Sequence, residues 1–429
     1  MTTPLADVSF EATRACADAL DRADPLGAYR DAFSCPRRDD GGREVYFCGD
    51  SLGLMPTRAE AYVVDELHTW RDAAVRGHFQ PPRPWLSYHE LVTEGLARLV
   101  GARPAEVVAM NSLTVNLHLM LTSFYRPAGR RVRILMEDRA FPSDAYAVAS
   151  HVHARGLDPE RTIVRVAPRA GEERLRSEDI EAAIAQEGES LALVLWPGVQ
   201  YYTGQTFALD AIVRAGHRAG AMVGFDLAHA AGNLELALHD WNADFACWCS
   251  YKYLNAGPGA VAGCFVHERH LADRERPRLA GWWGHDTATR FRMGPVFDPT
   301  PTADGWQLSN PPILSLAPLR ASLELFDAAT MPRLRRKSVA LTGFLAFLLE
   351  RRLGDAIEIV TPADAPSRGC QLSIRVRSGL PGRELLTRLE RAGVACDFRE
   401  PNVVRVAPTP FYNTFDEVYR FVEILSALV

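Results

Sequence analysis

Of the 48 basic side chains only two, Lys252 and Lys337, are lysines, and the other 46 are arginines. Either type can carry a surface charge, but arginine keeps its proton in a protein, so only a lysine can serve as a nucleophilic amine. Lys337 lies in RLRRKS, a basic stretch on a predicted long helix, and reads as part of a solvated face. Lys252 lies in ACWCSYKYLNAGPGA, after an apolar strand and before a glycine-rich turn. An ordinary solvated lysine is not expected there.

A desolvated amine condenses with aldehydes to a Schiff base, and pyridoxal phosphate is the cofactor most often held this way. Such a site also needs an acid for the pyridine nitrogen, a phosphate cradle and something stacked on the ring. The best candidate for the acid is Asp226, which ends the strand AMVGFD; its rival reading is a helix N-cap. His229, three residues on, could flank the ring or be a satisfied structural histidine. Asn111-Ser112-Leu113-Thr114 ends one strand and opens a helix, so free N–H groups and the Thr114 hydroxyl would face an anion, unless Ser112 only caps. Phe141-Pro142-Ser143-Asp144 follows another strand and offers a ring and a carboxylate, or an apolar staple. Each signal is weak alone, but all fall at predicted strand ends of one sheet.

That sheet is read from alternation. EVVAMN, RVRILME, RTIVRVA, LALVLWP, AMVGFD, ADFACWCS and AVAGCFV are predicted strands, with helices near 113–124, 143–155, 177–187 and 207–219 between the first five. This is βαβ repetition around a mainly parallel seven-stranded sheet, whose ligands collect at the C-terminal strand ends. Helices are expected at 57–77 and 86–100. A long helical stretch from Leu314 to about Leu353, broken near Pro332, leads into IEIVT, QLSIRV, GVACDF and NVVRVA with helices near 382–392 and 414–428. The expected division is an N-terminal segment, 1–45, packing on the small domain, a large domain, 46–310, and a small C-terminal α/β domain, 311–429.

A net charge of −5 supplies no basic field for nucleic acid, and no apolar run has the length of a membrane span. MTTPLADVSF lacks the basic and apolar regions of a secretory signal, and eight scattered cysteines without CxxC spacing read as reduced thiols, so a cytoplasmic location is expected. Gly49-Asp50-Ser51-Leu52-Gly53 matches a nucleophile elbow, but Gly53 and Pro56 oppose the helix that motif requires. Cys247-x-Cys249 and His151-x-His153 lack a second pair at metal-site spacing, so no metal is expected. AGPGAVAG does not make a dinucleotide fingerprint.

Taken together, YFCGDSLGLMP, MNSLTVNLHLML, FPSD, YYTGQ, the block GFDLAHAAGNLELALHDWNADFACWCSYKYLNAGPG, GWWGH, LSNPPIL and VRVAPTPFYNTF resemble the kynureninase family. The resemblance implies a pyridoxal-phosphate enzyme of the aspartate-aminotransferase fold (fold type I), acting in tryptophan catabolism or NAD biosynthesis. It implies hydrolytic Cβ–Cγ cleavage of L-kynurenine or 3-hydroxykynurenine by a homodimer with shared active sites. By this resemblance Lys252 is the Schiff-base lysine, Asp226 pairs with the pyridine nitrogen, His229 and Phe141 flank the ring, and Tyr251 protonates the departing carbanion. Leu113, Thr114, Pro142, Ser143, Asp144, Tyr251, Trp282 and Asn310 hold the cofactor, some from the partner subunit. Arg405 clamps the substrate carboxylate, while His78, Ser309 and Asn310 resemble the set that favours the 3-hydroxylated ring. Pro197 stands where some members carry a hydroxyl. Two other classes stay open: a cysteine desulfurase or aminotransferase of the same fold, and a non-catalytic binding protein. Desulfurases usually have histidine before the lysine, where this chain has Tyr251, and their mobile-loop cysteine has only Cys370 as a remote candidate.

Overall fold

The computed structural model describes residues 9–377 and 379–429. Most of the stretch read for targeting therefore lies outside the described residues. Seven strands, β1 (Val107–Ala109), β2 (Arg133–Glu137), β3 (Ile163–Val166), β4 (Leu191–Pro197), β5 (Met222–Asp226), β6 (Phe245–Trp248) and β7 (Gly263–Val266), form one sheet. Its order is β1-β7-β6-β5-β4-β2-β3, and only β7 runs antiparallel to its neighbours. β5, β6 and β7 are buried almost throughout, because helices cover both faces and a parallel strand then reads as a continuous apolar run.

A second sheet, all antiparallel, joins β8 (Ile357–Ile359), β9 (Leu372–Val376), β10 (Asp397–Arg399) and β11 (Val403–Val406) in the order β8-β9-β11-β10. GVACDF is split: Val394–Ala395 leaves this sheet to pair in parallel with Val45–Tyr46, and only the residues from Asp397 join β11. The core behind the second sheet includes Ala17, Leu20, Val45 and Phe47. Helix Arg14–Ala23 lies on helix Phe415–Leu428, and Asp21 accepts from Phe415 N (2.7 Å) and Asp416 N (2.9 Å), two donors that a helix start leaves free.

Two expectations need correction. Helix Ile313–Ala329 sits on helices Thr57–Ala73 and Glu90–Val100, and its Leu316, Leu319, Leu323 and Phe326 belong to the first core. The change of core falls between Leu334 and Ala340, inside helix Met331–Leu353, rather than at 310. Lys337 is not on a solvated face. It is 2% exposed and its Nζ lies 2.7 Å from the carboxylate of Asp24, itself buried. A buried ammonium persists only when paired, and a partner so far away in the chain leaves no local signal.

Candidate active site

The parallel strands deliver their last residues to one edge. Asp226 ends β5, level with Pro197 at the end of β4 and Cys247 in β6, while Glu137 ends β2. Lys252 follows β6 by four residues, on a turn where Gly53 N donates to Tyr251 O (2.8 Å). Lys252 Nζ lies 2.9 Å from His229 Nε2, 5.8 Å from the centre of the Phe141 ring and 5.9 Å from that of Tyr251.

Burial, with the charge of Lys252 beside it, holds His229 well below the ordinary imidazole range, so the ring is neutral and Nε2 accepts from the lysine. Its Nδ1 is buried without a partner. Burial and the nearby Cys249 push the Tyr251 phenol up, which keeps its proton available for donation.

Three carboxyl groups converge here. Burial raises Asp226, although Ala228 N donates to it (2.7 Å) and Lys252 opposes the rise. Burial and then Asp226 raise Asp144 well above the usual carboxylate range. Burial pushes Glu137 up to about 8, with Asp226 adding to the rise. This concentration of acid suits a cationic heterocycle.

The phosphate end is equally open. Ser112 precedes helix Leu113–Phe124 but makes no side-chain cap bond, leaving first-turn N–H groups free. Asn111, with φ at 49°, turns the chain from β1 into that helix. Thr114 Oγ1 and Ser143 Oγ lie 2.8 Å apart, so the starts of helices Leu113–Phe124 and Pro142–Ala154 present two hydroxyls to one point. These groups fit pyridoxal phosphate: Leu113, Thr114 and Ser143 would meet its phosphate, Phe141 and His229 would lie along its ring, Asp226 would face the nitrogen and Lys252 the aldehyde.

Arg405, in β11, is buried and already held: Nη1 donates to Tyr201 O (2.5 Å), and Nη2 meets both Asp397 and, at 3.1 Å, Asp50. The two acids were missed from sequence. Asp397 carries no signal beyond its place on a short strand, and Asp50 sits in the Gly49–Gly53 motif that was set aside for lacking an elbow helix. Trp282, 42% exposed, contacts Trp283 and Phe291, and Ser309 and Asn310 are exposed. His78 packs edge-on against Trp85 with Nδ1 buried and unpartnered. Among the described residues no hydrogen bond, ion pair or ring contact joins these four to Lys252, Asp226 or Phe141 within one chain.

The chain is 58% identical to a kynureninase of Xanthomonas campestris pv. campestris (strain B100), over 99% of this chain and 98% of that protein. It is 56% identical to one of Myxococcus xanthus over 99% of each. A sequence model described as the kynureninase C-terminal domain matches residues 334–425. Among solved structures, the cysteine desulfurase CsdA of Escherichia coli superposes with a TM-score of 0.75 at 17% identity, covering 94% of this chain and 98% of that one. A mutant of C-DES, with glycine linked covalently to its PLP cofactor, superposes at 0.74 and 19% identity, covering 89% and 96%. The fold is thus that of the fold type I pyridoxal-phosphate enzymes, and the chain belongs to the kynureninase family, pyridoxal-phosphate-dependent hydrolases that act on carbon–carbon bonds.

Proposed function

We propose that the protein cleaves the Cβ–Cγ bond of L-kynurenine and 3-hydroxy-L-kynurenine, releasing L-alanine with anthranilate or 3-hydroxyanthranilate, and that it favours the 3-hydroxylated substrate. The observation that carries the reading is Lys252, hydrogen-bonded to a neutral His229 at the strand ends that also carry the buried Asp226. Pyridoxal 5'-phosphate, when bound, supplies the electron sink for charge developing at the substrate's α- and β-carbons. Arg405 holds the substrate carboxylate through its planar fork, and Lys252 takes the α-proton. Water adds to the γ-carbonyl, Cβ departs with the bonding pair, and the Tyr251 phenol protonates it. A desulfurase reading finds no nucleophile in Cys370, which is buried and which burial pushes up to about 12.

The site calls for a second subunit. Trp282 belongs to an exposed apolar surface with Phe291, Met293 and Val296, while Trp70, Val75 and Phe79 form another beside His78. Patches of this kind mark interfaces, and a two-fold dimer would bring Trp282 and Asn310 to the neighbouring cofactor. There the buried Nδ1 of His78, with Ser309 and Asn310, would bind the ring hydroxyl, a bond worth about 1 kcal/mol and so several-fold in kcat/KM. Release of the fluorescent anthranilates, measured for both substrates on wild type and His78→Phe, tests this. The expected result is a several-fold preference for 3-hydroxykynurenine that falls in the variant; equal preference in both proteins would overturn it. Sedimentation should show a dimer, and a fully active monomer would remove the shared site. Among the described residues no helix is long and apolar enough to cross a membrane, and a cytoplasmic enzyme without nucleic-acid partners remains our reading.

A further inference from the structure

The loop from Cys48 to Gly53 is wedged between the two halves of the site. A Cβ on Gly49 would overlap Thr409 and Tyr412, beyond Arg405, and one on Gly53 would overlap Asn255 and the carbonyl of Lys252. What the loop inserts there is Asp50, 1% exposed, 3.1 Å from Arg405 Nη2 and within the field of Lys252, with neither carboxylate oxygen accepting a hydrogen bond. Asp397 pairs with the guanidinium and, through its other oxygen, with Arg399 Nη1 (2.7 Å), so Asp50 is the acid of this cluster that meets no arginine but Arg405 among the described residues. Burial raises the Asp50 carboxyl against the pull of Arg405 and Lys252, and in its charged form it repels any carboxylate that approaches Arg405.

An α-amino acid carries both charges on one carbon, which is the reverse of the Asp50–Arg405 pair. We infer that Asp50 is a specificity residue that binds the α-ammonium group of the substrate, so that Asp50 and Arg405 together select zwitterions over simple acids. The inference rests on the reading of Arg405 as the carboxylate clamp. The ammonium supplies the donors that the Asp50 oxygens lack and offsets the repulsion that a bare carboxylate meets.

The test is calorimetric, on holoenzyme whose lysine linkage has been reduced with borohydride so that amines cannot condense. The probes are L-2-amino-4-phenylbutanoate and 4-phenylbutanoate, which lack the γ-carbonyl that cleavage requires. Wild type should bind the amino acid at least about tenfold more tightly, the scale of a hydrogen bond to a charged partner. Asp50→Asn should lose most of that ratio, chiefly by binding 4-phenylbutanoate more tightly. Asp397→Asn, which also removes a carboxylate from Arg405, should shift both probes in the same direction and preserve the ratio. A wild-type ratio in Asp50→Asn overturns the inference, and Asp50→Ser carries the same comparison if the asparagine variant does not fold. Arg405→Gln separates the two readings, since unchanged affinity for 4-phenylbutanoate would mean that Arg405 is not the clamp and would end both.

Discussion

Asp244 precedes β6, eight residues before Lys252, and binds the strand that carries Asp226. Its Oδ2 accepts from Val223 N (2.7 Å) in β5 and from His217 (2.9 Å), and its Oδ1 from His270 (2.7 Å) and Arg269 (2.5 Å). Asp244→Asn removes the charge and turns one acceptor into an NH2 facing donors. Four charged hydrogen bonds at about 1.5–3 kcal/mol each would sum to a whole domain's stability, so additive counting fails. The scale for removing one member of a buried ionic pair, about 3–5 kcal/mol, is the better guide. Burial alone would raise the Asp244 carboxyl, but His217, His270 and Arg269 hold it well below the usual carboxylate range. A lowered folded-state value means that the stabilisation is complete above the unfolded-state value of about 4 and is lost as pH falls below it. Burial also lowers His270, so its contribution has the same sign and fades as pH falls below about 6.5. Urea unfolding followed by far-UV circular dichroism should show the variant about 3–5 kcal/mol less stable at pH 7, the gap closing below about pH 4. A difference under about 1 kcal/mol at pH 7 would refute the claim that this network fastens β5 to β6.

Borohydride reduction and peptide mapping should place the pyridoxyl group on Lys252 alone, because Lys337 is sealed against Asp24; label on Lys337 would sink the cofactor assignment. Asp226→Ala should abolish turnover almost completely while the protein still folds, and wild-type rates would show the acid to be misassigned. Lys337→Met should cost about 3–5 kcal/mol by stranding Asp24, and the pair Lys337→Met with Asp24→Leu should recover most of it, a recovery whose absence would mean the salt bridge is not what the core requires. In Gly53→Ala the new methyl displaces the Lys252 turn, so turnover should fall at least tenfold with melting changed little; unchanged kinetics would show that the loop does not brace the lysine.

The parts of this fold that could be read from sequence are those whose cause is local. β5 and β6 are buried on both faces and therefore apolar throughout, which also makes the polar residues at and beyond their ends, Asp226 and Lys252, conspicuous. Near-absence of lysine elsewhere makes Lys252 conspicuous in the sequence alone. What could not be read depends on contacts between distant segments. Lys337 sits among arginines, and Asp24, from the N-terminal segment, makes its burial tolerable with help from the charges of Asp21 and Glu417. The apolar stripe of helix Ile313–Ala329 shows that it is buried but not in which core; the facing helix Thr57–Ala73 decides that.

The same contrast separates the two ends of the site. The cofactor end is assembled from strand ends of one sheet, so topology alone collects Thr114, Phe141, Asp226 and Lys252. The end proposed for the substrate is assembled across the junction of the two cores, from the Cys48–Gly53 loop, Tyr201 and β11, joined by an isolated bridge between Cys48 and Ala407. Its charge balance, Arg405 and Arg399 against Asp50 and Asp397, exists only when those segments meet. A glycine-bounded acid such as Asp50 then reads in sequence as a failed hydrolase motif, although its buried carboxylate lies within the field of Lys252. On the proposed reading, substrate selection would therefore be sensitive to how the two cores pack, whereas Thr114, Phe141, Asp226 and Lys252 depend on the first sheet for their placement.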